Sequence, residues 1–257
     1  MIKHFFLAAL MFGVLVDSVR AAEPARIVVM IGEDEYRTWE TLPEFVEKDL
    51  KPKGYQVTII EADAADKNSF PGLTKALVDA DLLFVSVRRR TPPKEQLDAV
   101  RAFLAEGKPL IGIRTTSHAF ALRPKDKLAN GGLASWQDFD PEVLGGRYTN
   151  HYGSGPLTVV TVAPGAEKQP ILRGLTVAKM RGNGSLYKVS PLENGTTPLL
   201  FGTIPGKPAE PVAWTHCYGP REARIFYTSL GHAEDFKNDE FRRLLLNSIK
   251  WALSKKR

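Results

Sequence analysis

Residues 26–32, RIVVMIG, are a short apolar run of mostly branched side chains closed by glycine, the pattern of a strand buried on both faces. Downstream, Trp39, Leu42, Phe45, Val46 and Leu50 recur at helical spacing until Pro52 and Gly54 stop the turn. The alternation then repeats. YQVTIIEA (55–62) predicts a strand, GLTKALVDA (72–80) a short helix and DLLFVSV (81–87) a third strand. PPKEQLDAVRAFLAEG (92–107) predicts a helix with proline at its start and Gly107 past its end, and PLIGI (109–113) a fourth strand. Strands alternating with helices in short units predict an α/β fold with a parallel sheet wound on both faces.

Over residues 123–155 the pattern breaks into a stretch rich in Gly, Asn, Asp and aromatics, read as a long insertion after the fourth strand. A loop of that length in a compact domain is usually functional. PLTVVTVA (156–163) resumes as a strand, and TPLLFGT (197–203), PVAWTHC (211–217) and ARIFYTSLG (223–231) predict three more. Residues 238–253 close the chain as an amphipathic helix with Phe241, Leu244, Leu245, Ile249 and Trp251 on its apolar side. No internal repeat or low-complexity linker divides this stretch, so residues 23–257 are expected to form one domain.

The first residues do not belong to this pattern. Lys3 and His4 precede an apolar run over 5–16, and Val19-Arg20-Ala21 fits an A-x-A-like cleavage site. This layout is that of a secretory signal peptide over 1–22, which predicts an exported, periplasmic or extracellular protein. The run is too short to span a bilayer comfortably, so no membrane span is expected in the mature chain. Cys217 is the only cysteine, so no intrachain disulfide can form and the fold must rely on its core. The net charge of +6 comes from 35 basic and 29 acidic residues mixed along the chain. Without a basic stripe interleaved with aromatics, nucleic acid is not an expected partner.

In open α/β sheets ligands bind beyond the carboxyl ends of the strands. Those ends carry Glu33, Asp34, Glu35 and Tyr36; Arg88, Arg89 and Arg90; Arg114, Thr115, Thr116, Ser117 and His118; and Ser229, His232 and Glu234. The irregular stretch adds Asn150, His151 and Tyr152. Blander roles compete: the acids at 33–35 suit a helix N-terminus, the arginine run suits a solvated turn, and His216 suits a structural place at a strand end. His118, His151, His232 and Glu33 show no close ligand pair such as HExxH, so neither a metal nor a cofactor is expected. GSGPLT (153–158) leads into a strand rather than a helix, the wrong context for a phosphate-cradling loop.

The order of these motifs resembles the ThuA-like (trehalose-utilisation) proteins over residues 26–253. The block from PVAWTHC through SLGH to the terminal helix with Trp251-Ala252 carries the resemblance most specifically, and LGGRYTNHYG (144–153) adds to it. The resemblance implies a flavodoxin-like, doubly wound, mostly parallel sheet of the class I glutamine amidotransferase-like superfamily. In that superfamily a nucleophilic cysteine follows the fourth strand and a late His-x-Glu completes a triad. Here GIRTTS puts Arg114 at the cysteine position, where many ThuA-like proteins carry His, while His232 and Glu234 keep the His-x-Glu pair. A guanidinium stays protonated and is no nucleophile, so thiol-based glutamine hydrolysis is excluded there. The expectation is that Arg114 pairs with Glu33 or Glu35 and orients the site.

The resemblance implies carbohydrate catabolism, with a glycoside or keto-sugar derivative as the small-molecule partner. In an enzyme, His232 oriented by Glu234 is the general acid/base, and Glu33 or Glu35 the partner carboxylate, with Arg114 in support. Tyr36, Arg88, Arg90, Thr115, Ser117, His118, Asn150, His151 and Tyr152 are the expected substrate contacts. The alternative is a non-catalytic sugar-binding or assembly module, with Tyr36, Trp39, Trp136, Phe139, Tyr148 and Tyr152 as a stacking surface. The related folds also leave a homodimer open.

Overall fold

A computed structural model describes residues 23–254 except 124 and 130, so the predicted leader at 1–22 lies outside the described residues. A nine-stranded sheet runs through the molecule. Its first half is built from β1 (Arg26–Gly32), β2 (Gln56–Glu61), β3 (Leu82–Val87) and β4 (Leu110–Ile113), with helices α1 (Thr38–Phe45), α2 (Leu73–Val78) and α3 (Lys94–Ala105) between them. β1 pairs in parallel with β2 and β3, and β4 with β3. Every residue of β3 is buried, as its unbroken apolar run requires.

After β4 the chain makes the short strand β5 (Asn150–His151), then β6 (Thr158–Val162), β7 (Arg181–Gly182), β8 (Tyr187–Lys188), β9 (Thr197–Thr203), β10 (Glu210–Tyr218) and β11 (Ala223–Thr228). The terminal helix α4 spans Asp239–Leu253. β11 returns to lie parallel to β4, giving the order β2-β1-β3-β4-β11-β10-β9-β6-β7. Beyond β11 the pairing is antiparallel throughout. The links from β9 to β10 and from β10 to β11 are too short for the crossover that parallel neighbours need. The doubly wound core is therefore extended by an antiparallel wing, and β5 and β8 form a separate two-stranded ribbon.

Two apolar layers cover the sheet. Ile27, Val29 and Ile31 of β1 face Leu42 and Phe45 of α1 and Phe241, Leu244, Leu245 and Ile249 of α4. The alternate residues Val28 and Met30 face Leu73 and Leu77 of α2 and Leu97, Val100 and Phe103 of α3. Each such fully buried side chain contributes about 1.5–3 kcal/mol. Trp136 and Phe139, expected at a stacking surface, are buried in the second layer with Phe120 and take no part in one.

The strand end that matters most is that of β4. Ile113 passes directly into a tight 3-10 turn, Arg114–His118, and Arg114 enters it with φ of 46°, in the left-handed region. The Thr116 hydroxyl accepts from Ile113 N–H at 3.2 Å and donates to the Val85 carbonyl at 2.7 Å, fastening the turn to β3. A side chain at Gly112 would put its Cβ 2.9 Å from Thr116 Cγ2, so glycine is required for this approach.

Candidate functional site

Arg114 is the centre of the site. Its side chain is buried, and Nη1 donates to the carbonyls of Ser185 at 2.9 Å and Ser229 at 2.7 Å. Nη2 donates to the Tyr36 hydroxyl at 3.2 Å and to Ser185 Oγ at 3.1 Å. The guanidinium lies between the rings of Tyr36 and Tyr187, at 4.6 and 4.2 Å from their centroids. Gly184 makes this possible, since a Cβ there would stand 2.5 Å from Arg114 Cζ and Nη2. On its inner side, among Thr158, Leu186, Val212 and Leu230, the crevice is too narrow for water.

The expected pairing of Arg114 with Glu33 or Glu35 does not occur, because nearer groups take both acids. The Glu33 carboxylate is buried and accepts Glu35 N–H at 2.7 Å, Tyr36 N–H at 2.6 Å, Thr38 N–H at 2.8 Å and the Thr38 hydroxyl at 2.7 Å. It thereby caps the turn into α1, where the first N–H groups have no helical partner. Glu35 pairs with Arg88 at 2.7 Å, and Asp34 with Arg90. Arg114 is left with dipoles and π faces in place of a counter-ion.

His118 is buried beside this centre. Its Nδ1 lies 3.0 Å from Ser117 Oγ, and its ring packs on Tyr148 at 4.7 Å. Burial, together with the charges of Arg89, Arg88, Arg114 and Arg123, pushes its pKa down to about 3, so the imidazole is neutral at ordinary pH. Tyr148 in turn packs on Tyr187 at 4.6 Å. Its backbone N–H is held by buried Asp140, whose carboxyl burial raises well above the ordinary value.

His232 arrives from the end of β11, half-buried and edge-on to Tyr36 with 5.8 Å between ring centroids. Its Nδ1 accepts the backbone N–H of Glu234 at 3.2 Å, which places the proton of the neutral ring on Nε2. The Glu234 carboxylate is exposed and turned to Lys237 at 2.7 Å, so the backbone of Glu234, not its acid group, orients the histidine. The acid that holds this loop is its neighbour Asp235, which is buried. One oxygen accepts Gly231 N–H at 2.8 Å and His232 N–H at 3.0 Å. The other accepts Asn183 N–H at 2.9 Å and Asn183 Nδ2 at 2.7 Å.

The structure thus brings Tyr36, Arg114, Ser117, His118 and His232 together, with Arg88 beside them. Thr115 is wholly buried below. Arg90 turns to Asp34 and Gly32, lining a groove of about 310 Å³ with Trp39 and Lys67. Asn150 and His151 are exposed on the β5–β8 ribbon, and His151 Nδ1 is occupied by the Tyr152 carbonyl at 2.8 Å. Tyr152 turns to Lys188 and Lys207 and does not contact Arg114. Tyr187, Ser185 and Asp235 were missed. Gly184, between Asn183 and Ser185, is the local sign in the sequence that fits the close approach seen here, and Asp235 stands beside the residue that the His-x-Glu spacing selects. Among the described residues no three His, Cys, Asp or Glu side chains converge as metal ligands, and no helix is long and apolar enough to cross a membrane.

The fold has known counterparts. A ThuA-like protein from Bacteroides uniformis superposes with a TM-score of 0.65 at 18% identity, over 95% of this chain and 96% of that one. A ThuA-like protein from Parabacteroides merdae gives 0.61 at 17% identity, over 90% of each chain. A β-galactosidase from Bacillus circulans gives 0.58 at 13% identity over 88% of this chain, which spans 31% of that enzyme. At these identities the likeness is one of fold. No curated protein sequence matches the chain significantly. The ThuA family model, described as trehalose utilisation, matches residues 26–252, and with that span the chain belongs to the ThuA family.

Proposed function

We propose that this is an exported protein of carbohydrate catabolism that acts on a glycoside or keto-sugar by acid/base chemistry at the Arg114 site. One juxtaposition carries the reading. An imidazole, His232, stands edge-on to a phenol, Tyr36, whose hydroxyl accepts from a buried guanidinium. Because the Tyr36 oxygen accepts from Arg114, the hydroxyl keeps its own proton to donate to a ligand. A sugar oxygen placed at this face would receive that hydrogen bond, and His232, with its ring turned from the Glu234 N–H and its proton moved to Nδ1, would offer Nε2 as the base to an adjacent C–H or O–H and return the proton afterwards. Hydrolysis, elimination and isomerisation of a sugar each need such a pair. Neutral His118 and the rings of Tyr148 and Tyr36 would offer the apolar and hydrogen-bonding wall that a sugar ring packs against.

The test is to incubate the purified protein with trehalose, glucosides and their 3-keto derivatives and to follow products by NMR. Turnover that falls by about 10²–10⁴-fold in His232→Ala, with the fold retained, supports the reading. Line broadening of a sugar without turnover would replace it with a binding module, and silence toward every sugar would remove the carbohydrate assignment.

A further inference from the structure

Resting on the reading of this face as the ligand site, we infer that its ligand carries an oxyanion, a sugar carboxylate or sugar phosphate, and that this group takes the place of the Glu35 carboxylate on Arg88. The end of β3 lays its arginine run along the Arg114 turn. Arg89 N–H donates to the His118 carbonyl at 3.0 Å and Arg90 N–H to that of Ala119 at 2.7 Å. Arg90 is neutralised by Asp34. Among the described residues, Arg88, Arg89 and Arg114 are left around His118 with one ion-paired carboxylate, Glu35, which binds Arg88. Arg89 reaches a carbonyl, that of Ala121, at 3.3 Å. Further out, Arg123 and Asp126 act on Arg89 with opposite signs.

Two observations separate this cluster from a solvated charge run. The buried Nε atoms of Arg88 and Arg114 have no hydrogen-bond partner. The surplus charge is also felt at its centre, where it helps hold His118 neutral. A buried guanidinium without a counter-ion is costly, and an incoming anion recovers part of that cost. Glu35 is suited to yield its place. Its side chain is 42% exposed and its backbone N–H is fixed by Glu33, so the carboxylate can leave Arg88 without disturbing the turn. A carboxylate or phosphate matches the planar guanidinium fork that it vacates.

Isothermal titration of the purified protein with D-glucose, D-glucuronate and D-glucose 6-phosphate tests this. The expected result is that at least one anion binds ten-fold or more tightly than glucose, and the stronger of the two identifies carboxylate or phosphate. Arg88→Gln should abolish the preference. Glu35→Gln, which removes the competing charge, should tighten anion binding several-fold. If Glu35→Gln leaves anion affinity unchanged or lowers it, the inference is overturned. Equal binding of glucose and both anions overturns it while leaving the carbohydrate reading in place. Absence of binding by all three overturns both.

Discussion

Replacing Glu33 by glutamine tests whether this acid is a structural cap or a catalytic base. The carboxylate holds four donors, two on each oxygen. Glutamine keeps one accepting oxygen and brings an NH2 group to the other position. The least costly arrangement leaves the oxygen on Glu35 and Tyr36 N–H and turns the NH2 toward Thr38. The Thr38 hydroxyl can reverse and accept, because its other neighbour, Ser86 Oγ at 2.9 Å, can donate or accept. Thr38 N–H cannot reverse. It is left unpaired in a buried position, which costs about 1–3 kcal/mol, and two charge-assisted bonds weaken to neutral ones. Together these set the loss for Glu33→Gln at about 2–3 kcal/mol, or about 4–12 °C in Tm for a domain of this size. Urea unfolding with an unchanged slope is the assay. A Glu33→Gln protein as stable as the parent, or more stable, with its turnover lost, would refute the capping argument and restore Glu33 as a catalytic carboxylate, since active-site charges are commonly held at a cost in stability.

Gly184→Ala should displace the Arg114 guanidinium, at an overpacking cost of about 1–3 kcal/mol; thermal unfolding and sugar binding should fall together, and an unchanged Tm would show that the guanidinium yields freely. His118 has a folded-state pKa of about 3 against 6.5 unfolded. The unfolded chain therefore binds the proton first, and the stability His118 contributes is complete above pH 6.5 and lost as pH falls toward 3. His118→Phe should flatten that acid limb in urea unfolding measured across pH, and the His118 ring signals of the parent should not titrate between pH 5 and 8 by NMR. Asp235→Ala should free the Gly231 and His232 amides, raising their hydrogen-exchange rates by at least ten-fold while α4 stays protected; equal protection would show that the loop is held by other contacts.

Much of the fold was legible in the sequence because hydrophobic periodicity is local. The runs at 26–32, 81–87 and 109–113 became β1, β3 and β4, and the apolar stripe of the terminal helix became the buried side of α4. The turn after β4 was legible for the same reason, since an apolar strand ending in a polar run marks where a parallel sheet exposes chemistry. Short links after residue 197 made the wing antiparallel, a consequence of connection length that the alternation upstream does not carry.

The partnerships at the site were decided by tertiary structure alone. The residues at 33–35 and 88–90 were visible as charges, but which acid meets which arginine depends on distances between adjacent strand ends. Glu33 therefore went to backbone N–H groups and Glu35 to Arg88, leaving Arg114 with carbonyls and tyrosine faces supplied by residues 36, 185, 187 and 229. The His-x-Glu spacing pointed to Glu234, yet the turn directs that side chain to solvent and the next acid, Asp235, inward. Periodicity says which side of a strand or helix is apolar. It carries no information about through-space pairing between segments as far apart as residues 36, 114 and 187, and that pairing makes the site.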